Sequence, residues 1–153
     1  TLFAMVGTYS LGVILIPRFL SQTTALRISG LLGIVLSLVI VNTSGFTSVL
    51  LVASLGIANA LVWPAIWPLA INGLGKFTKT GAAFLIMAIS GGAILTPLYG
   101  RLVDHFQKAY LAGGMEQAEA IAHGANQGYW ILLPSYIIIF LYAFKGHKIK
   151  SWT

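Results

Sequence analysis

The sequence predicts an all-α membrane protein, and three observations carry that prediction. Charged side chains make up only 8% of the residues against 58% apolar ones, whereas a soluble domain carries about a quarter charged residues. The apolar residues are gathered into five long runs, each approaching the roughly 20 residues a helix needs to cross the hydrocarbon core. Those runs are continuous and do not alternate with period two, so they read as helices and not as barrel strands. The lipid bilayer is therefore the first expected partner. Nucleic acid, which a net charge of +6 would otherwise suggest, is not expected. The nine Lys and Arg lie mainly between or beyond the apolar runs, where they act as topology signals and contacts for anionic lipid heads. The absence of cysteine rules out a disulfide framework and a thiolate metal site in these residues.

The expected spans, in order, are about 1–17, 25–42, 46–72, 81–100 and 129–145. The first begins at Thr1, directly inside an apolar run and without a basic leader, so the expectation is a piece of a longer chain. The connection to the second span carries Arg18 and Arg27, and the next, around Asn42-Thr43-Ser44, is uncharged. That tripeptide matches a glycosylation acceptor, but it lies almost at the membrane surface and a chance match is the plainer reading. The third connection carries Lys76 and Lys79. The fourth, long and polar, holds Arg101 and Lys108 with Asp104, Glu116 and Glu119, and a short surface helix is expected near Gln117 to Ala122. Lys145, Lys148 and Lys150 follow the last span. Placing alternate connections on alternate sides gathers seven of the nine Lys and Arg on one face, which the positive-inside rule makes cytoplasmic. The C-terminus is then expected in the cytoplasm.

Within this frame the third span stands out. At about 100° per residue, Asn59, Trp63, Ile66, Trp67 and Ala70 share about a third of the helix circumference. Pro64 and Pro68 each lack an N–H and free a carbonyl one turn earlier. An amide, two indoles and partly unpaired backbone inside a membrane need shielding by protein or by a water-filled cavity. The combination suits a sugar pathway, since indole faces stack on the C–H face of a pyranose while amides bond its hydroxyls. The alternatives stand beside it: Trp67 also fits an interfacial belt, and Asn59 with Trp63 also fits helix–helix packing. Thr8, Tyr9 and Ser10 form a second, weaker polar cluster in the first span, with Tyr9 the pathway candidate.

In the fourth span Ala88, Gly92, Thr96 and Gly100 recur every four residues. Such small residues let membrane helices approach closely, while Gly91, Gly92 and Pro97 equally permit a hinge. Tyr129, Trp130, Tyr142 and Trp152 read as interfacial belts. His105 and His123 lack the spacing of a helical ligand pair, so no metal is expected, and nothing points to another cofactor. No nucleophile–base pair lies inside the spans, so an enzyme is not expected. No Asp, Glu, Lys, Arg or His occupies the middle of any span. A proton relay requires such a group, so any coupling carboxylate is expected elsewhere in a longer chain.

The run ALVWPAIWPLAINGLGKFTKTGAAFLIMAISGGAILTPLYGRLVD (60–104) resembles the tenth and eleventh helices of the fucose/galactose/glucose:proton symporters, a group of the major facilitator superfamily. The proline-flanked aromatic segment, the glycine- and lysine-bearing turn and the double-glycine segment carry the resemblance over about a third of the chain. The order and polarity of the spans extend it more weakly over the rest. It implies that the five spans correspond to helices eight to twelve of twelve, with the N-terminal half absent. It also implies import of a monosaccharide with a proton across a bacterial inner membrane by alternating access. Thr8 follows Gly7 where the fucose-permease branch carries Arg, which tilts the expectation towards glucose or galactose over fucose. The first connection also lacks the Asp of the general superfamily loop motif. Two other classes remain open: a carrier of the same fold for another solute, such as a drug exporter, and a structural membrane subunit. Binding of a hydrophobic cation without response to sugars would single out the first. A constitutive partner complex without solute flux would single out the second.

Overall fold

The computed structural model describes residues 2–146, so Lys148, Lys150 and Trp152 lie outside the described residues. The secondary structure there is helical, with no strand among the described residues. The helices are α1 (Leu2–Arg18), α2 (Gln22–Val41), α3 (Gly45–Ala60), α4 (Val62–Ile71), α5 (Thr78–Ala88), α6 (Gly92–Ala112), α7 (Gln117–Gly128) and α8 (Leu132–Phe144). Several run on through short breaks. Counting those together, Gln22–Val41, Gly45–Ile71, Gly75–Ala112 and Gln117–Phe144 are each long and apolar enough to cross a membrane, with α1 as a fifth, shorter helix of 17 residues.

Local sequence explains the starts and breaks. The hydroxyl of Ser21 accepts the Thr24 N–H at 3.1 Å and so caps α2, supplying a partner that the first turn of a helix lacks. The expected single span over 46–72 is interrupted at Leu61. Pro64 cannot donate to the Ala60 carbonyl, and the helix restarts at Val62. The span expected over 81–100 is interrupted by a 3-10 segment at Ile89–Gly91, immediately before Gly92.

The largest departure from the sequence reading is the fourth connection. The polar stretch 101–128 is not a loop with one short helix. Helix α6 continues to Ala112, Gly113–Glu116 turns with Gly114 at φ +86°, and α7 runs from Gln117 without a loop into the last span. Charged residues mark where the chain leaves lipid, but no proline or glycine between Leu102 and Ala112 stops the helix there. Small residues then fasten the hairpin. Ala120 is fully buried. A Cβ on Gly124 would lie 3.0 Å from the Val103 carbonyl oxygen, and one on Gly128 would lie 2.7 Å from the Tyr99 ring. Glu119 lies in the first turn of α7, where its charge complements the helix dipole.

The centre of the bundle is the antiparallel pair α2–α8. A Cβ on Gly30 would meet the backbone of Phe140 at 3.1 Å, and one on Gly33 would overlap the Tyr136 ring. Ser29, Ser37 and Tyr136 are buried in the same region. In lipid, where apolar burial alone gives little drive to associate, close backbone approach and interhelical hydrogen bonds hold helices together. Helices α3 and α4 lie on this pair through two clusters. Leu55 and Ala58 pack with Ile40 and Tyr136, and Ala65 packs with Ala25, Leu26 and Ala143.

Both ends of the pair are latched. At one end Arg27 donates its Nε–H to the Ala143 carbonyl at 3.2 Å and lies 4.5 Å from the centre of the Phe144 ring, a cation placed at a helix C-terminus. At the other, Asn126 donates to the Thr43 carbonyl at 2.8 Å and accepts from the Ser48 hydroxyl at 2.8 Å. Gln127 donates to the Val41 carbonyl at 3.0 Å. Gln127 thus satisfies the last carbonyl of α2, which its own helix leaves unpaired, while Asn126 ties down the turn that follows it. Asn42 of the glycosylation-like tripeptide turns its amide back onto the Leu38 carbonyl at 2.8 Å.

The stripe expected to pack on the fourth span behaves differently. At Gly91, Gly92 and Gly100 a Cβ would meet nothing within 4 Å, and α5 and α6 contain no buried residue. Among the described residues, close approach is made at Gly12, Gly30, Gly33, Gly124 and Gly128 and not at Gly91, Gly92 or Gly100. Replacing Gly30 with Val should therefore destabilise the intact protein by about 1–3 kcal/mol, because overpacking here meets backbone that cannot rotate away. Thermal melting in detergent measures this, and a Gly30→Val protein that melts with the parent would contradict the close α2–α8 contact.

Candidate functional site

Trp63 and Trp67 follow one another by a single turn of α4, so their indoles stand on one face with ring centres 5.4 Å apart and planes tilted by 49°. Pro64 and Pro68 lie between and beside them. Tyr9 reaches this face from α1 and Ile86 from α5, and together these six side chains line an open cleft of about 360 Å³. The structure thus gathers Tyr9, Trp63, Trp67, Pro64 and Pro68 into one wall. Trp63 is 45% exposed and Tyr9 48% exposed. Large aromatic faces with one hydroxyl among them form a mixed apolar–polar surface of the kind that holds small polar ligands.

Asn59 takes a different place. It is not among the cleft-lining residues, and lies on the α3 side of the break at Leu61. Its Oδ1 accepts a hydrogen bond from the Tyr136 hydroxyl at 2.9 Å, while the residue as a whole remains exposed. Gly91, Gly92 and Pro97 are also outside the cleft. They sit at the 3-10 segment and in the following helix, where Pro97 lies inside α6. A mid-helix 3-10 stretch is a common form of hinge, and the open surroundings of Gly91 and Gly92 leave room for bending there.

A larger hollow, about 470 Å³, lies at the turn between α4 and α5 and is lined by residues including Leu74, Lys76, Phe77 and Phe84. Lys76 and Thr80 are its polar groups, set among apolar and glycine residues, and it holds neither of the tryptophans whose indoles offer flat stacking faces. No group of three or more metal-binding side chains occurs among the described residues. His105 lies against Phe106 and His123 against Tyr110, each with ring centres 5.6 Å apart. Tyr129 of the expected belt stacks on Tyr99 at 5.3 Å, and Trp130 donates its indole N–H to Gln127 at 2.9 Å.

One residue of the cleft, Ile86, and the partner of Asn59, Tyr136, are absent from the sequence reading. Ile86 closes the cleft from the fourth span and gives no signal among its apolar neighbours. Tyr136 does give one: a phenol in the middle of an apolar run needs a hydrogen-bond partner in lipid.

Parts of the chain are similar to known transporters. The chain is 34% identical over 87 residues to a glucose/galactose transporter of Brucella abortus, covering 57% of this chain and 21% of that protein. It is 28% identical over 145 residues to a putative glucose/galactose transporter of Helicobacter pylori, covering 95% of this chain and 32% of the relative. An L-fucose-proton symporter of Haemophilus influenzae is 30% identical over 135 residues, covering 88% of this chain and 25% of that protein. The chain is thus similar to one part of each of these transporters. It spans 21–32% of the length of these relatives. No family model matches it, and no solved structure matches it.

The cleft geometry makes a direct prediction. The sequence has no cysteine, so a cysteine placed here reports its own surroundings. A charged, membrane-impermeant thiol reagent should label Trp63→Cys in the exposed cleft and spare Ala65→Cys. Ala65 is fully buried against α2 and α8. Equal labelling at both positions would contradict the cleft.

Proposed function

We propose that the chain is the C-terminal part of a secondary active transporter, its helices corresponding to helices eight to twelve of twelve. The whole protein imports a monosaccharide together with a proton across a bacterial inner membrane by alternating access, with glucose or galactose favoured over fucose. The observation that carries the reading is the cleft formed by Tyr9, Trp63 and Trp67 in a chain homologous to transporters named for glucose, galactose and L-fucose. The indole faces offer stacking surfaces to the C–H face of a pyranose. The Tyr9 hydroxyl and the exposed Asn59 amide offer hydrogen bonds to sugar hydroxyls.

The remaining features fit such a carrier. Bending at the 3-10 segment of Ile89–Gly91 and at Gly92, with the Pro97 interruption one to two turns later, would let the fourth span rock during alternating access. Arg27 and Lys145 lie at one end of the α2–α8 pair, on the same side as the Lys76 and Lys79 turn, and that end faces the cytoplasm. The carboxylates here, Asp104, Glu116 and Glu119, lie on the α6–α7 hairpin and not in the membrane interior. The coupling acid then belongs to the N-terminal half of the same chain, the essential partner of this one.

Truncating Trp63 to Ala in the intact protein should raise the KM for sugar uptake up to about tenfold. This is the scale of an aromatic contact worth about 0.5–1.5 kcal/mol beyond its buried area. Membrane insertion should be unchanged. Normal uptake by both Trp63→Ala and Asn59→Ala would remove the site assignment. Binding of a hydrophobic cation in place of sugar would give the protein to the drug-exporter class. Liposomes holding these 153 residues alone should show no sugar flux, and flux from them would contradict the need for a second half.

A further inference from the structure

A carboxamide has two ends of nearly equal size and opposite chemistry: Oδ1 only accepts hydrogen bonds, and Nδ2 only donates them. An unrestrained Asn at a binding wall can turn either end to a ligand. Asn59 is restrained. The Tyr136 hydroxyl donates to its Oδ1 at 2.9 Å, and Tyr136 is itself fixed, being only 3% exposed. Its ring lies against Gly33 so closely that a Cβ there would overlap it, and it packs with Ile40, Leu55 and Ala58. We propose that Tyr136 is a positioning residue. Held on the Gly33 platform, its hydroxyl engages the acceptor end of Asn59, so that the exposed side chain presents its two N–H donors to the transported solute. This rests on the reading of Asn59 as a pathway residue and deepens it. The solute must bring a hydrogen-bond acceptor, such as a hydroxyl or ring oxygen of a sugar, to this point.

The test compares Tyr136→Phe, Asn59→Ala and the double variant in the intact protein, reconstituted in proteoliposomes, with labelled glucose, galactose and L-fucose. KM, Vmax and thermal melting are measured for each. Phe keeps the ring packing and removes only the hydroxyl. Tyr136→Phe should raise KM by about two- to tenfold, the scale of one hydrogen bond, with Vmax and melting close to the parent. It should add nothing in the Asn59→Ala background. Gly33→Ala, which keeps the Tyr136 hydroxyl but pushes the ring that carries it away from Asn59, should raise KM in the same way and likewise lose its effect in that background. If Asn59→Ala raises KM while Tyr136→Phe and Gly33→Ala leave it unchanged, the positioning role is overturned and the site reading stands. The role is equally overturned if the Tyr136 and Gly33 variants lower only melting or Vmax. An unchanged KM in Asn59→Ala itself overturns the underlying site reading and the inference with it.

Discussion

The architecture depends on how closely α2 and α8 approach each other. In lipid, two apolar helices gain little by touching unless their backbones come close enough for dense packing. Gly30 and Gly33 make that possible, bringing Phe140 and Tyr136 onto the bare backbone of α2. Everything else follows from this seam. Arg27 can reach the Ala143 carbonyl near the end of α8, Gln127 the last carbonyl of α2, and Asn126 the Thr43 carbonyl just beyond it. Helices α3 and α4 then have a rigid surface against which Ala58 and Ala65 are fully buried.

The burial of Ala65 also orients the cleft. Ala65 faces the seam, so Trp63 and Trp67, displaced by two residues on either side along α4, turn away from it toward α1 and α5. Pro64 and Pro68 weaken the helix where it passes the seam. The chain tolerates the loss because the neighbouring helices bury the inner face. The rigid side and the open side of the third span are thus set by the same few residues. By contrast, the fourth span has no buried residue, and Gly91, Gly92 and Gly100 are unconfined within the described residues.

The long apolar helices were legible from hydropathy, because crossing a bilayer is a requirement on length and composition. The cleft residues Trp63, Trp67 and Tyr9 were legible because aromatic and polar groups at membrane depth need a reason. Three things were not. The 101–128 hairpin was misread as mostly loop because charge marks the edge of lipid and not the end of a helix. Gly30 and Gly33 carry the same spacing signal as the fourth-span stripe, and sequence alone does not say which small face meets a partner. Asn59 was assigned to the same face as Trp63 by an ideal helical rotation. The break at Leu61 separates the two residues, and the bond from Tyr136 to Asn59 is a pairing 77 residues apart that local periodicity does not encode.

That this segment belongs to a proton-coupled sugar carrier is the proposal on which the reading of the cleft rests. It is tested most directly by uptake through the intact protein in cells stripped of their own sugar carriers, using labelled glucose, galactose, L-fucose and N-acetylglucosamine with and without a protonophore. The account predicts accumulation of glucose or galactose that collapses when the protonophore is added. Correct insertion with no accumulation of any of the four sugars would contradict it.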